Sequence, residues 1–279
     1  MSYLKHWKLQ RSPFSLSKNR RAFFAAGTVE EAIARTEFLL DHRKKLGVLI
    51  GPTGVGKTAL LEHMVWLRNS KNTRESVVRI DLQSVNAANA STRIGQALGL
   101  RSTESKFDIW LSIQDHLFSE AAIGHRTIFL LDNIDEANED SLLMLSQLWS
   151  SRLQWSTVIS LDDEAIVDMP RWLLEQCELK IELPAWDLGQ TADYFDFALA
   201  QEGNQDDIFD GQSITRIQEL SQGIPRKIAQ IAELALVAGA VRKSDRISTE
   251  LVEQVCDEFT VSVGSKFPLF WEDQQLNVR

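Results

Sequence analysis

Apolar residues recur along the chain in two patterns, and the change between them divides the sequence into two parts. Between residues 46 and 183, short runs rich in apolar residues alternate with stretches of helical period. These runs lie at 46–50, 76–82, 127–132, 156–161 and 179–183. Continuous apolar runs of this length are typical of strands buried on both faces. The pattern therefore predicts an α/β domain with a parallel sheet flanked by helices.

After Pro184 the alternation ends and only helical periodicity remains. Four further helices are predicted at 188–201, 212–222, 225–241 and 248–260. A second, small all-helical domain therefore follows the sheet domain. We expect an N-terminal leader that packs on the α/β domain (1–27), the α/β domain itself (28–186), the helical domain (187–262) and a C-terminal tail (263–279).

The first predicted strand leads into GPTGVGKT (51–58), which fits the pattern G-x-x-x-x-G-K-[ST]. Its glycines let backbone N–H groups turn towards phosphate oxygens, and the next helix directs its positive end at them. Lys57 would reach the β and γ phosphates, and the Thr58 hydroxyl would ligate Mg²⁺. The residues predicted to bind ATP or ADP are thus Gly51, Pro52, Thr53, Gly54, Val55, Gly56, Lys57 and Thr58.

Aromatic residues in the leader admit two interpretations. Trp7, Pro13 and Phe14 offer flat apolar surface that would suit an adenine ring. The alternative is that they only attach the leader to the protein core.

The third apolar run belongs to TIFLLDNIDEA (127–137). Asp132 ends this run and is the natural second partner of Mg²⁺; the alternative is a helix cap. Asn133 follows it and can orient a water molecule, but an amide cannot accept a proton from it. Asp135 and Glu136 are either replacement bases, brought back by a turn, or charges at the start of the next helix. DDE (162–164), after the fourth run, could mimic paired carboxylates, but it begins a predicted turn of helix and is interpreted as a helix cap.

Within the helical part, LSQGIPRKIAQIAELA (220–235) places Arg226 in the first turn of a predicted helix. A cation there opposes the helix dipole, so the position needs another explanation. Facing a γ-phosphate would provide one, and a solvated surface arginine is the alternative.

With the phosphate loop, the strand ending at Asp132 and GIPR (223–226), the sequence resembles the AAA+ ATPases. YLKHWKLQRSPF (3–14), TADYFDFALAQEG (191–203) and QGIPRKIAQIAELAL (222–236) narrow the resemblance to the general secretion pathway protein A (ExeA-like) family. The resemblance implies that Arg226 is the sensor 2 arginine. It also implies an ATP-driven assembly switch of a secretion, pilus or envelope process, forming a homo-oligomer with nucleotide between subunits and contacting a protein of a secretion or membrane system.

Two departures from that family predict a slow enzyme. Its members usually have glutamate after the aspartate of this strand, where this chain has Asn133, and losing a general base costs about 10²–10⁴ in rate. No arginine stands at the usual finger position near Gln176 and Cys177, so Arg171 or Arg152 would have to act from a neighbouring subunit. Ser160 is the candidate for sensor 1. The competing hypotheses are an adaptor that holds ATP without hydrolysis and a DNA-binding regulator of the transposition type.

Composition changes this picture only slightly. A net charge of -9 and a pI near 5.2 argue against a surface that coats DNA, so nucleic acid ranks last among the partners. The N-terminus lacks an apolar signal region, and the most apolar later stretch (228–241) is too short to span a bilayer. The sequence thus predicts a cytoplasmic protein that is not inserted in a membrane.

Overall fold

The computed structural model describes residues 2–15, 23–71, 74–83, 87–100, 106–149, 155–204 and 207–262. Contacts divide the chain into one unit of Met1–Lys18 with Asp187–Arg279 and a second unit of Asn19–Trp186. Over the described ranges, no helix is both long and apolar enough to cross a membrane. The predicted tail lies outside these ranges.

Five parallel strands form the centre of the unit Asn19–Trp186. They are β1 (Leu46–Ile50), β2 (Glu75–Asp81), β3 (Arg126–Asp132), β4 (Trp155–Leu161) and β5 (Leu179–Glu182). Their spatial order is β2-β3-β4-β1-β5. The prediction of an α/β domain with a parallel sheet flanked by helices is confirmed. Because all strands are parallel, the segments that follow β1, β3 and β4 emerge at the same end of the sheet, beyond the carboxyl ends of the strands.

Both units contain helices. In chain order they are α1 (Tyr3–His6), α2 (Gly27–Asp41), α3 (Lys57–Ser70), α4 (Ala87–Ala97), α5 (Lys106–Ala122), α6 (Glu139–Trp149), α7 (Arg171–Leu174), α8 (Leu188–Gln201), α9 (Gly211–Ser221), α10 (Pro225–Arg242) and α11 (Thr249–Ser262). Short 3₁₀ turns cover Ile134–Glu136 and Glu164–Asp168.

Burial along the strands explains where the apolar runs are continuous and where they contain charged residues. Every residue of β1 and β4 is buried, and so is every residue of β3 after the first. By contrast, β2 and β5 lie at the two edges of the sheet and alternate between buried and more exposed positions. The central strands therefore need apolar side chains on both faces, whereas an edge strand tolerates charges such as Arg79 and Lys180.

The other unit contains α1 and the helices α8 to α11. Asp187 caps α8 by accepting a hydrogen bond from Gln190 N, and the Gln190 side chain accepts one from Asp187 N in return. Asp210 caps α9 by accepting a hydrogen bond from Ser213 N, and α10 begins with Pro225 in its first turn. These residues at the helix N-termini explain why the sequence predicts where the helices begin.

The leader packs differently from the expectation stated above. Trp7 is only 4% exposed, and its ring nitrogen donates to the Leu236 carbonyl at 2.8 Å. Phe14 is 1% exposed, with ring centroids 4.9 Å from Phe195 and 5.8 Å from Phe209. The expectation that the leader packs on the α/β domain is therefore wrong for these residues, because their rings find buried apolar partners in the helical unit. Their burial favours the packing interpretation over an adenine surface.

Replacing Phe14 by alanine should loosen the helical unit. Deleting a buried phenylalanine typically costs about 3–5 kcal/mol. We expect faster amide hydrogen exchange in α8 and unchanged exchange in β1, measured on the full chain by mass spectrometry. Phe118→Ala is the matched control because Phe118 is 66% exposed on α5. Equal exchange in the two variants would show that Phe14 does not hold the helical unit together.

Candidate nucleotide site

The loop 51–58 joins β1 directly to α3, and its glycines have separate roles. Gly54 and Gly56 adopt positive φ values of 89° and 111°, which favour glycine. Gly51 is required by space, since a Cβ there would lie 2.2 Å from the Leu183 carbonyl oxygen. The first N–H groups of α3 have no partner inside their helix and are available to an anion.

Lys57 is buried and lies across this loop. Its Nζ donates to the Gly51 carbonyl at 2.5 Å and to the Pro52 carbonyl at 3.2 Å, and it lies 3.8 Å from an Asp162 carboxylate oxygen. Burial lowers the pKa of Lys57, and the charges of Asp162 and Asp135 oppose that effect. The lysine thus starts from contacts that a phosphate group would replace.

Asp162 was not assigned to the site by sequence reasoning, which interpreted residues 162–164 as a helix cap. Asp163 does cap the turn Glu164–Asp168. Asp162 instead accepts a hydrogen bond from the Thr53 hydroxyl at 2.5 Å. Burial acts to raise the pKa of Asp162, but the hydrogen bonds from Thr53 and Glu164 and the charge of Lys57 outweigh it, so its pKa is lowered. An anionic side chain therefore stands beside the phosphate loop.

Asp132 ends β3 and is completely buried. One carboxylate oxygen accepts from the Ser160 hydroxyl at 2.5 Å, and the other accepts from Arg79 Nη1 at 2.7 Å. Ser160 also accepts from the backbone N–H of Asn133 at 3.1 Å. The sensor 1 candidate Ser160 is thus buried against Asp132, whereas Asp162 is the residue after β4 that reaches Lys57.

Asn133 turns the chain directly after the strand. It adopts a left-handed conformation with φ 55° and ψ 51°. Its side-chain N–H donates to an Asp81 carboxylate oxygen at 2.9 Å, and Asp81 stands opposite Asp132 in the β2–β3 register. The amide that replaces the usual glutamate is therefore held by a carboxylate from the neighbouring strand.

That turn separates the two acidic residues that follow. Asp135 accepts from the Asp162 backbone N–H at 3.4 Å, and its charge acts on Lys57. Glu136 is exposed and accepts from the Gln83 side chain at 3.2 Å. Of the two candidate bases, Asp135 is the one directed to the phosphate loop.

Two side chains of the site carry oxygen donors that suit Mg²⁺. Thr58 and Asp132 provide a hydroxyl and a carboxylate, which are hard oxygen ligands of the kind that Mg²⁺ uses together with water and phosphate oxygens. A carboxylate has about four lone-pair positions, so the bonds from Ser160 and Arg79 leave capacity at Asp132. Within the described ranges, no group of three or more His, Cys, Asp or Glu is placed to hold a metal ion. The residues fit a nucleotide-bound Mg²⁺.

The remaining predicted residues are arginines. Arg226 is exposed in the first turn of α10, in the helical unit. Arg171 is exposed on α7 and pairs with Glu175 at 2.8 Å. Arg152 lies outside the described residues. Besides Asp162, the structure adds Arg79 and Asp81, and the signal for both was a charged residue inside the apolar run at 76–82.

The family model of the AAA domain matches residues 40–161. General secretion pathway protein A of Aeromonas hydrophila is 26% identical over 259 residues, covering 88% of this chain and 46% of that protein. Chaperone protein ClpB of Clostridium perfringens is 29% identical over 128 residues, covering 44% of this chain and 14% of ClpB. The chain thus spans about half or less of these relatives. The predicted resemblance to AAA+ ATPases and to general secretion pathway protein A is confirmed.

Solved structures of low sequence identity share the fold. The Aeropyrum pernix ORC1 protein in complex with DNA has a TM-score of 0.71 at 18% identity, covering 90% of this chain and 70% of that one. Cdc6p from Pyrobaculum aerophilum has a TM-score of 0.68 at 16% identity, covering 91% and 73%. At such identities the similarity is one of fold.

Replacing Asp162 by asparagine should strengthen nucleotide binding. The carboxylate attracts Lys57 and repels phosphate, and a charge this close to the loop is worth about three- to tenfold in affinity after screening. The measurement is titration of the full chain with a fluorescent ATP analogue. Asp168→Asn is the control, because Asp168 is an exposed acid at the end of the same turn. An unchanged or weaker affinity for Asp162→Asn would contradict this electrostatic account.

Proposed function

The chain carries an AAA domain of the P-loop fold and resembles general secretion pathway protein A, and from this premise we propose that it binds ATP with Mg²⁺ and hydrolyses it slowly. One observation carries the proposal: Lys57 lies on the carbonyls of a loop whose positive-φ glycines join a buried strand to a helix N-terminus. Backbone N–H groups there supply fixed positive ends for phosphate oxygens, and Lys57 supplies a mobile charge.

In this proposal Thr58 and Asp132 hold Mg²⁺. When bound, the ion neutralises charge on the phosphate oxygens. Ser160 and Arg79 orient the Asp132 carboxylate from both sides. Asn133 orients the attacking water without accepting its proton, and Asp135 is the base. Glu136, engaged by Gln83, is the less favoured of the two acids.

The remaining elements of the proposal rest on the resemblance. Arg226 would act as the sensor 2 arginine on the γ-phosphate. Nucleotide would lie between subunits of a homo-oligomer, so that ATP binding drives assembly. The process served would be of the secretion, pilus or envelope type, with the cytoplasm as the compartment of the ATPase.

A non-hydrolysing adaptor is the second candidate, and the amide at position 133 favours it. Such a protein would hold ATP to recruit a secretion or membrane partner. A DNA-bound regulator of the transposition type ranks below it, because the net charge of -9 opposes contact with phosphate backbones. Salt-sensitive DNA binding that strengthens with ATP would reverse this ranking.

Lys57→Ala tests the site assignment. Removing a charge-assisted contact to phosphate should weaken ATP binding by at least about tenfold. Lys71→Ala is the control, because Lys71 pairs with Glu37 at the far end of α3. The measurement is calorimetric titration with ATP and Mg²⁺. Equal affinity in wild type and Lys57→Ala would show that the assigned loop is not the binding site.

Asn133→Glu tests the catalytic assignment. A glutamate there would meet Asp81, so we pair it with Asp81→Asn to restore a hydrogen bond between the strands. Since Asp135 is the proposed base, the double variant should gain little, and phosphate release about 10²–10⁴ times faster than in wild type would contradict that assignment. The assay is run at high protein concentration so that subunits can associate.

If Asp135 already acts as the base, the double variant gains little, and Asp135→Ala abolishes release. Asp81→Asn alone is the control for loss of the Asn133 contact. Wild-type release equal to the Lys57→Ala background would favour the adaptor instead.

A further inference from the structure

Asp132 is a buried candidate ligand of Mg²⁺ that already forms an ion pair with Arg79. Its carboxylate is 0% exposed, and Arg79 Nη1 donates to it at 2.7 Å. A guanidinium does not lose its proton in proteins, so this positive charge cannot be switched off by pH. Any Mg²⁺ that uses Asp132 therefore approaches a carboxylate beside a permanent cation.

Arg79 is shared between two carboxylates. Its second nitrogen, Nη2, lies 3.1 Å from Glu62 Oε1 on α3, the helix that begins at Lys57. Side chains of Arg79 and Glu62 are only 19% and 22% exposed, so water screens their interaction weakly. Glu62 can thus keep Arg79 partnered when Mg²⁺ engages Asp132, which avoids an unpaired buried charge.

We propose that Arg79 is a built-in counter-charge that competes with Mg²⁺ for Asp132, and that its sharing with Glu62 sets the Mg²⁺ concentration at which nucleotide binds. This inference rests on the proposed nucleotide site. It would explain why the apolar run at 76–82, which forms β2, contains an arginine. Arg79 is a positioning residue, since it acts on the metal through Asp132.

Opposite shifts are expected from the two partners of this ion pair. The midpoint is the Mg²⁺ concentration at which binding of the ATP analogue is half-maximal. Arg79→Gln removes the competing cation, so this midpoint should fall by about tenfold, the effect of one unit charge at this range. Glu62→Gln leaves Arg79 with Asp132 alone and removes a negative charge, so the midpoint should rise by a similar factor. A purely structural role would impair binding in both variants and would not produce shifts of opposite sign.

The experiment is a Mg²⁺ titration of binding of a fluorescent, slowly hydrolysed ATP analogue to the full chain, with no turnover involved. Arg35→Gln and Glu31→Gln are the matched controls, because this arginine–glutamate pair lies on the exposed face of α2. Both should keep the wild-type midpoint. Arg79→Lys, which retains the charge, should stay closer to wild type than Arg79→Gln.

Midpoints that fall in Arg79→Gln and rise in Glu62→Gln support the proposal. Unchanged midpoints, or shifts in the same direction, overturn it. If Arg79→Gln does not fold by circular dichroism, Arg79→Lys and Glu62→Gln decide together: the first should stay near the wild-type midpoint and the second should raise it, and an unchanged midpoint in Glu62→Gln overturns the proposal. Failure of the nucleotide site itself is distinct: wild type and Lys57→Ala would then bind the analogue equally at every Mg²⁺ concentration.

Discussion

A single buried negative charge, the carboxylate of Asp132, organises this site. Removing a carboxylate from water is costly unless it gains partners, and Asp132 gains one from each neighbouring strand. Arg79 comes from β2 and Ser160 from β4, so the Asp132 carboxylate links three adjacent strands at their carboxyl ends, where the phosphate loop also begins. Ser160 also accepts the Asn133 N–H, which fixes the turn that redirects the chain towards Asp135. Asp135, whose charge acts on Lys57, therefore follows a turn that is held by the same serine that satisfies Asp132.

The phosphate loop has a matching arrangement of opposite sign. Lys57 is buried against the carbonyls of its own loop and beside Asp162, which the Thr53 hydroxyl also holds. A nucleotide must replace these contacts, so part of its binding free energy is spent on releasing Lys57. Asp132 with Arg79 and Lys57 with Asp162 form two internally neutralised pairs, and each gives a site that is stable before a ligand arrives.

Much of this could be predicted from the sequence because local patterns carry it. The five apolar runs, the glycines of the loop and the helical period after Pro184 each depend on neighbouring residues, and the fold class follows from them. The partners of Asp132 could not be predicted, since they depend on strand order. Arg79 precedes Asp132 by 53 residues and Ser160 follows it by 28, and only the order β2-β3-β4-β1-β5 brings them together. The prediction for the leader was wrong for the same reason, because the partners of Trp7 and Phe14 lie about 200 residues further along the chain.

The most direct test of the central claim is amide hydrogen exchange of the full chain with and without a slowly hydrolysed ATP analogue and Mg²⁺. The backbone N–H groups of the loop 51–58 are assigned to phosphate oxygens, so the account predicts slower exchange in the peptide that covers this loop and the first turn of α3. A chain saturated with the analogue whose loop exchanges as fast as in its absence would contradict the account.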